Sequence, residues 1–518
     1  TKAPPFHEFM NSANLKPYQD SHDMSLTITL AVAAIVGALL LAYLHAQTRR
    51  KAPKLPPGPP SFPIIGNLHT VGSLPHAALR SLALTYGPLI TLWHGRVPTI
   101  VISSPEAAQL VYKTHDAVFA GRPKSQVAGY SSYGYKGIAF AEYGDHWRHV
   151  RKLCISNLLS PPKIATLSWL RKEEMNKFVG RLREAGAAHG AVNLTERLAE
   201  LIGSITFRMI VGRDVNEFSE LNQAIMEAIF LVGVFNIGDA VPILRPFDFQ
   251  GILRRLRASV HKFEHLMDGV FADHTVMGRE TDFVDVLLSL TKQIVDPRQR
   301  MDRTKIKALV KDLIAGSIET TATTVEWLIA EIIRHPRVTS EVRKELRSVV
   351  GMERGVEERD LPRLPYLEMV VKEGLRLHPA AALSVPRQCL EDITICGYHI
   401  PRGAKIFLNI WAMGRDPGIW TDNADDFIPE RFGAENVDVL GQDFRILPFG
   451  SGRRVCPGAR MAFLTLRLTV AHLFHSFDME LPDGVSPEKL DMSELPSGGL
   501  TTPRARQLVV LPKYRLKC

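Results

Sequence analysis

Phe449-Gly450-Ser451-Gly452-Arg453-Arg454-Val455-Cys456-Pro457-Gly458 places one cysteine in a glycine-rich, cationic loop just ahead of the apolar helical run 458 to 476. Pro457 suits the first position of a helix. The Cys456 sulfur is therefore expected at the positive end of a helix dipole, where a thiolate is favoured over a thiol. Gly450, Gly452 and Gly458 carry no side chain that would block a large flat ring. Arg454, two residues before the sulfur, can turn toward an acidic group on such a ring, and haem propionates are groups of that kind. The plainer alternative, a small buried core cysteine beside a turn, does not call for this flanking pattern.

The segment resembles the Phe-x-x-Gly-x-Arg-x-Cys-x-Gly signature of the cytochrome P-450 haem-thiolate family, matched at Phe449, Gly452, Arg454, Cys456 and Gly458. The resemblance implies that Cys456 ligates the iron of heme b and that Phe449 and Arg454 contact the cofactor.

The longest helical pattern, Thr304 to His335, carries Ala315-Gly316-Ser317-Ile318-Glu319-Thr320-Thr321 at its middle. Glycine and serine weaken the backbone ladder there, and Thr320 or Thr321 can bond a carbonyl one turn back. A local bulge wide enough for a water or dioxygen is expected. A polar stripe facing solvent is the alternative. The stretch resembles the family's acid-threonine motif, which makes Glu319 the proton-relaying acid and Thr320 the hydroxyl that holds dioxygen and its water. Ser317 departs from the small apolar residue usual at its position, which could add a hydrogen bond near the pocket.

Glu373 and Arg376 in KEGLRLHP share one helical face, a spacing that by itself usually gives a solvated pair contributing about 0.3 to 0.5 kcal/mol. With Pro429-Glu430-Arg431-Phe432 downstream they resemble the family's Glu-x-x-Arg plus Pro-Glu-Arg-Phe triad, which implies a buried structural knot of Glu373, Arg376 and Arg431. Trp147 and Arg151, four apart in WRHVR, lie on one helical side. They resemble the family's Trp-x-x-x-Arg helix, whose indole and guanidinium bind a haem propionate, and Arg387 is similar to a further propionate partner. His149, His335 and His378 read as ordinary packed or exposed histidines with no iron role.

Toward the N-terminus, Leu26 to Leu44 is uncharged and reaches the roughly twenty residues that span a bilayer as a helix. Arg49, Arg50, Lys51 and Lys54 follow. By the positive-inside rule they stay cytosolic, so a signal anchor is expected with the bulk of the protein on the cytoplasmic side. A cleaved signal peptide fits less well, since the run is long and lacks a small-residue cleavage site. Residues 1–23 are polar, Met24 could be the natural start, and this tail is assigned no function. Leu55-Pro56-Pro57-Gly58-Pro59-Pro60 reads as a stiff spacer and is similar to the hinge of membrane-bound members of the family.

The chain has 518 residues, 45% hydrophobic and 23% charged, enough to bury a large core in one domain or two. Five scattered cysteines without paired CxxC spacing argue for a reducing compartment, with Cys389 and Cys396 as buried or strand thiols rather than a disulfide. The net charge of +9 is read as favouring anionic lipid and an acidic protein partner, because no nucleic-acid-reading motif accompanies it.

Short β-branched runs at Leu89–Leu92 and Thr99–Ile102 read as strands. Segments 105–115, 141–158, 196–212, 252–275, 304–335, 338–350 and 458–476 read as helices. The expected fold class is mainly α with a small β-sheet subdomain (α+β), the cytochrome P-450 fold with an N-terminal transmembrane helix. Its parts are a tail (1–23), a transmembrane signal anchor (24–47), a basic and proline-rich hinge (48–62) and a haem-thiolate monooxygenase domain (63–518). The anchor, the hinge, Ala322-Thr323-Thr324-Val325-Glu326-Trp327 and Phe235-Asn236-Ile237-Gly238-Asp239 are similar to plant microsomal members that act on specialised metabolites.

The resemblance implies a monooxygenase at the endoplasmic reticulum membrane that activates dioxygen. NADPH and flavins serve it through a separate reductase, since no dinucleotide fingerprint or flavin domain is present, and nucleic acid is not a partner. Val127, Ala128, Phe235, Ala381, Ala382 and Leu500 suggest a small apolar substrate: a phenylpropanoid, flavonoid or terpenoid. A haem-thiolate isomerase or dehydratase, which dispenses with the acid-threonine pair, and a catalytically silent haem sensor are the competing classes. Asn193-Leu194-Thr195 is a glycosylation sequon, and sugar on it would contradict cytosolic exposure.

Overall fold

A computed structural model describes residues 54–517 except 64, 215–218, 235, 278–281, 294–300, 434, 436 and 497–498, together with scattered positions between 29 and 39. Most of the expected anchor and all of the tail lie outside the described residues. Among those described, no helix is long and apolar enough to cross a membrane. The described anchor positions are helical, and Val32, Ile35, Val36 and Leu39 are exposed.

The larger compact unit runs Leu55–Cys518 and is mainly helical. Its axis is the helix Arg303–Arg334, capped where the Asp302 carboxylate accepts from the Lys305 N–H at 2.8 Å, and ended by His335-Pro336. From Thr321 to Ile333 every residue is buried, as a helix enclosed on all sides requires. Leu194–Val211, Pro365–Leu377 and Ala459–Ser476 pack on it and share the main apolar core. The middle of this helix differs: Gly316 is exposed, and a Cβ built there meets nothing within 4 Å.

A four-stranded sheet supports the other side of the site. Leu89–His94 and Val97–Ile102 form a hairpin, Lys405–Leu408 lies parallel to the second of these, and Arg387–Gln388 closes the edge. The proline-rich stretch is docked on this sheet rather than spanning free solvent. The Pro57 carbonyl accepts from the Thr91 N–H at 2.9 Å, and Gly58 sits so close to the Thr91 carbonyl that no Cβ would fit. The compact unit therefore includes residues assigned above to the hinge.

The expected helices form at 105–114 (in two registers), Asp145–Leu153, Leu194–Val211, Ile252–Met277, Arg303–Arg334, Pro336–Val350 and Ala459–Ser476. The sequon is absorbed into the fold. The Asn193 side chain caps a helix by accepting from the Glu196 N–H, and the Thr195 hydroxyl donates to Glu326 at 2.8 Å. Cys389 and Cys396 are free, the second exposed in a turn at φ 51°.

Candidate functional site

The cysteine loop is built from backbone hydrogen bonds that its glycines permit. The Cys456 N–H donates to the Phe449 carbonyl at 2.9 Å, and Gly450 and Gly452 adopt φ of 68° and 67°. A side chain at Gly452 would meet the Tyr112 carbonyl and stand 2.6 Å from Asp116 Oδ1, so glycine is required there for both space and backbone. Phe449 packs against the main core beside the loop.

The helix following the loop begins at Ala459, with Gly458 as its N-cap, so Pro457 lies in the preceding turn and not at the first helical position. This changes the expected electrostatics. Burial pushes the Cys456 thiol up, while the Gly458 N–H and the Arg151 guanidinium pull it back. A metal cation on the sulfur would favour the thiolate.

Four buried or half-buried arginines converge around this loop. Arg387, on the sheet-edge strand, donates to Asp116 Oδ1 at 2.6 Å and to the Ser451 carbonyl at 2.5 Å, with its guanidinium 4.0 Å from the Tyr112 ring centroid. Arg151 donates to the Val455 carbonyl at 2.8 Å. Arg454 donates to the Ala120 carbonyl at 2.9 Å and the Ala141 carbonyl at 2.6 Å. Arg122 donates to the carbonyls of Ala139, Val385 and Pro386. Trp147 is buried with its indole N–H taken up by the Ile138 carbonyl at 3.2 Å, so its ring face, 4.4 Å from the Arg454 guanidinium, is what it offers the group.

These cations are not balanced by the protein. Burial, with Arg387 and Arg151 beside it, pulls the Arg454 guanidinium down to about 9, and burial with Arg454 nearby pulls Arg122 down as well. Asp116 is the carboxylate bonded to the group, and its second oxygen accepts from the Arg453 N–H at 2.7 Å, pinning the loop. Arg454 NH1 is buried without a hydrogen-bond partner. A buried cationic group with an unused donor beside a glycine-lined cysteine fits an anionic ring cofactor such as heme b. Sequence reasoning missed Asp116 and Arg122, which belong to no local pattern and act through residues far away in the chain.

On the long helix, Thr320 Oγ1 donates to the Gly316 carbonyl at 2.7 Å, the expected bond one turn back. The expected bulge is not formed: the chain is α-helical without interruption from Arg303 to Arg334, because these hydroxyl bonds bridge turns without breaking the ladder. Ser317 likewise donates to the Leu313 carbonyl at 2.6 Å and adds no bond outside its helix. Glu319 accepts a hydrogen bond from the Thr501 hydroxyl.

The knot of Glu373, Arg376 and Arg431 forms as expected. Arg376 makes two bonds to the Glu373 carboxylate, at 2.6 and 2.7 Å, and Arg431 Nε reaches Glu373 Oε1 at 3.2 Å. His378 pairs with Glu331 at 2.6 Å and stacks on Trp327. Of the expected pocket residues, Val127 instead packs into a small core with Ala228, Leu231 and Ile252, and Phe235 lies outside the described residues.

Residues 56–510 match the family model for cytochrome P-450. The chain is similar to cytochrome P-450 CYP736A12 of Panax ginseng, 46% identical over 89% of this chain and 94% of that one. It is also similar to flavonoid 3'-monooxygenase of Arabidopsis thaliana, 38% identical over 95% and 98% of the two chains. Among solved structures, a zebra fish cytochrome P-450 with abiraterone superposes with a TM-score of 0.71 at 26% identity, covering 85% of this chain and all of that one. With this match running across the cysteine loop, the arginine group, the long helix and the Glu373 knot, the chain belongs to the cytochrome P-450 family and is a monooxygenase of the kind that inserts one oxygen atom into its substrate.

Proposed function

We propose that this enzyme hydroxylates a small apolar plant metabolite, a phenylpropanoid, flavonoid or terpenoid, using NADPH electrons relayed by a separate flavin-containing reductase. The observation that carries the reading is the uncompensated arginine group around the cysteine loop, with Arg454 NH1 unpartnered. Cys456 would hold the iron, Arg151, Arg387 and Arg454 would take the propionates with the Trp147 ring packed behind them, and Phe449 would support the loop. Bound heme b supplies one-electron and dioxygen chemistry.

The protein's own part is proton management and positioning. Glu319 is the acid that would relay protons, and Thr320 presents a hydroxyl already oriented by the Gly316 carbonyl. The open side of Gly316 leaves room beside that hydroxyl. A flavonoid 3'-monooxygenase among the similar chains supports an apolar aromatic substrate. Exposed apolar side chains at Val32, Ile35, Val36 and Leu39 support anchoring in the endoplasmic reticulum membrane, with the catalytic unit in the cytoplasm.

The test is incubation of microsomes with reductase, NADPH and a panel of plant phenolics and terpenes, read by mass for the gain of one oxygen. Product that forms without NADPH would sink the reading in favour of an isomerase or dehydratase.

A further inference from the structure

The acid on the long helix is held from outside that helix. Glu319 Oε1 accepts from the hydroxyl of Thr501, a buried residue of the C-terminal loop. The next residue is anchored three times. Thr502 donates its N–H to the Ala380 carbonyl and its hydroxyl to the Pro379 carbonyl, both at 2.9 Å, and its carbonyl accepts from Trp327 Nε1 at 2.9 Å. On the other side, the helix Ser219–Gly233 ends against the same loop: a Cβ at Gly233 would stand 2.7 Å from the Leu500 nitrogen and 2.8 Å from the Gly499 carbonyl carbon. Thr501 thus sits between a fixed point and a helix end that touches the loop backbone directly.

A carboxyl with one oxygen bonded by a buried hydroxyl has its rotation set by that hydroxyl. We propose that Thr501 is a positioning residue for the monooxygenase reaction. Its hydroxyl orients the Glu319 carboxyl, and the end of the helix Ser219–Gly233, through Gly499 and Leu500, sets where that hydroxyl stands. The proposal rests on Glu319 being the proton-delivering acid. A shift of the helix end moves Thr501 and, with it, the acid.

Thr501→Val keeps the shape and removes the hydroxyl, whereas Thr501→Ser keeps the hydroxyl. With the panel compound oxidised fastest in the assay above as probe, Thr501→Val should lower product formed per NADPH consumed by about tenfold, and Thr501→Ser should stay near the unsubstituted protein. The second readout does not depend on turnover. The Glu319 carboxyl infrared band, identified as the one lost in Glu319→Gln, should shift in Thr501→Val and in Gly233→Ala but not in Thr501→Ser. In a Glu319→Gln background, Thr501→Val should add nothing.

An unshifted band with unchanged product per NADPH in Thr501→Val overturns the proposal, and so does an equal loss in both backgrounds. Full product per NADPH in Glu319→Gln alone would instead remove the acid role of Glu319, while the band shift would still report on Thr501.

Discussion

Two groups of buried arginines in this molecule end in opposite ways. In the knot, Arg376 and Arg431 meet one carboxylate, Glu373, and their remaining donors meet the carbonyls of Gly414, Ala424, Asp426, Trp420 and Asn423, so the hydrogen bonds close within the protein. Around the cysteine loop, Arg387 bonds Asp116, Arg122, Arg151 and Arg454 bond backbone carbonyls, and a buried donor of Arg454 is left unused. A group of cations whose donors are all taken up holds a fold together; one with a buried donor left over marks where an anion from outside is expected. Buried charge alone does not separate structure from function, but the completeness of its hydrogen bonds does.

The contrast can be broken most decisively at the sulfur. Cys456→Ala should abolish both turnover and the thiolate-type shifted Soret band of the reduced carbon monoxide complex; a variant that retained that band would show that the open group is not arranged around an iron ligand. Next in size is the closed group. Arg376→Met takes two of the hydrogen bonds from the Glu373 carboxylate, at 0% exposure, leaves that charge to Arg431, and should cost about 3 kcal/mol of stability, with or without haem, read from urea unfolding.

A third treatment of charge, discharge by burial, is found at His472. Burial holds its pKa down at about 3, so the folded chain keeps it neutral while the unfolded chain protonates it near 6.5. Its contribution is fully present above that pH and is lost as pH falls, by about 2 kcal/mol at pH 5. His472→Gln should flatten this acid arm of the stability curve, measured as the urea midpoint against pH.

The open group predicts a smaller effect that depends on the cofactor. Arg454→Met should leave the stability of the haem-free chain within about 1 kcal/mol, because loss of two carbonyl bonds is offset by relief of cation crowding. It should weaken haem retention by about tenfold, measured by transfer of haem to an acceptor protein. Equal losses in both states would make the group structural, like the knot. The smallest effect concerns Arg453, whose side chain is 50% exposed beside the loop: added salt should reduce reductase-supported turnover several-fold, and salt indifference would remove this face as the docking site.

Elements with a strong local signal were legible. The apolar spacing of 304–335 and 458–476 and the glycine and proline punctuation around Cys456 gave helices and loop close to where they form. The helix Ser168–Ala187 was not read, because Arg171 and Glu174 interrupt its apolar face. Both are buried and neutralised by residues distant in the chain, Arg171 by Glu358 at 2.6 Å and Glu174 by Arg208. Asp116 escaped for the same reason, since it lies in no motif and acquires its role only from Arg387 and the Arg453 N–H.

What the chain determines by itself, then, is the chemistry that depends on neighbours in sequence: the glycine-hinged cysteine, the acid beside its threonine, the i to i+3 pair of the knot. Tertiary structure alone decided which charges are balanced, that Pro457 precedes the helix instead of starting it, and that Thr501 holds Glu319. Spacing along a chain reports local geometry, whereas the energy of a buried charge or hydroxyl depends on partners that only folding brings within 3 Å.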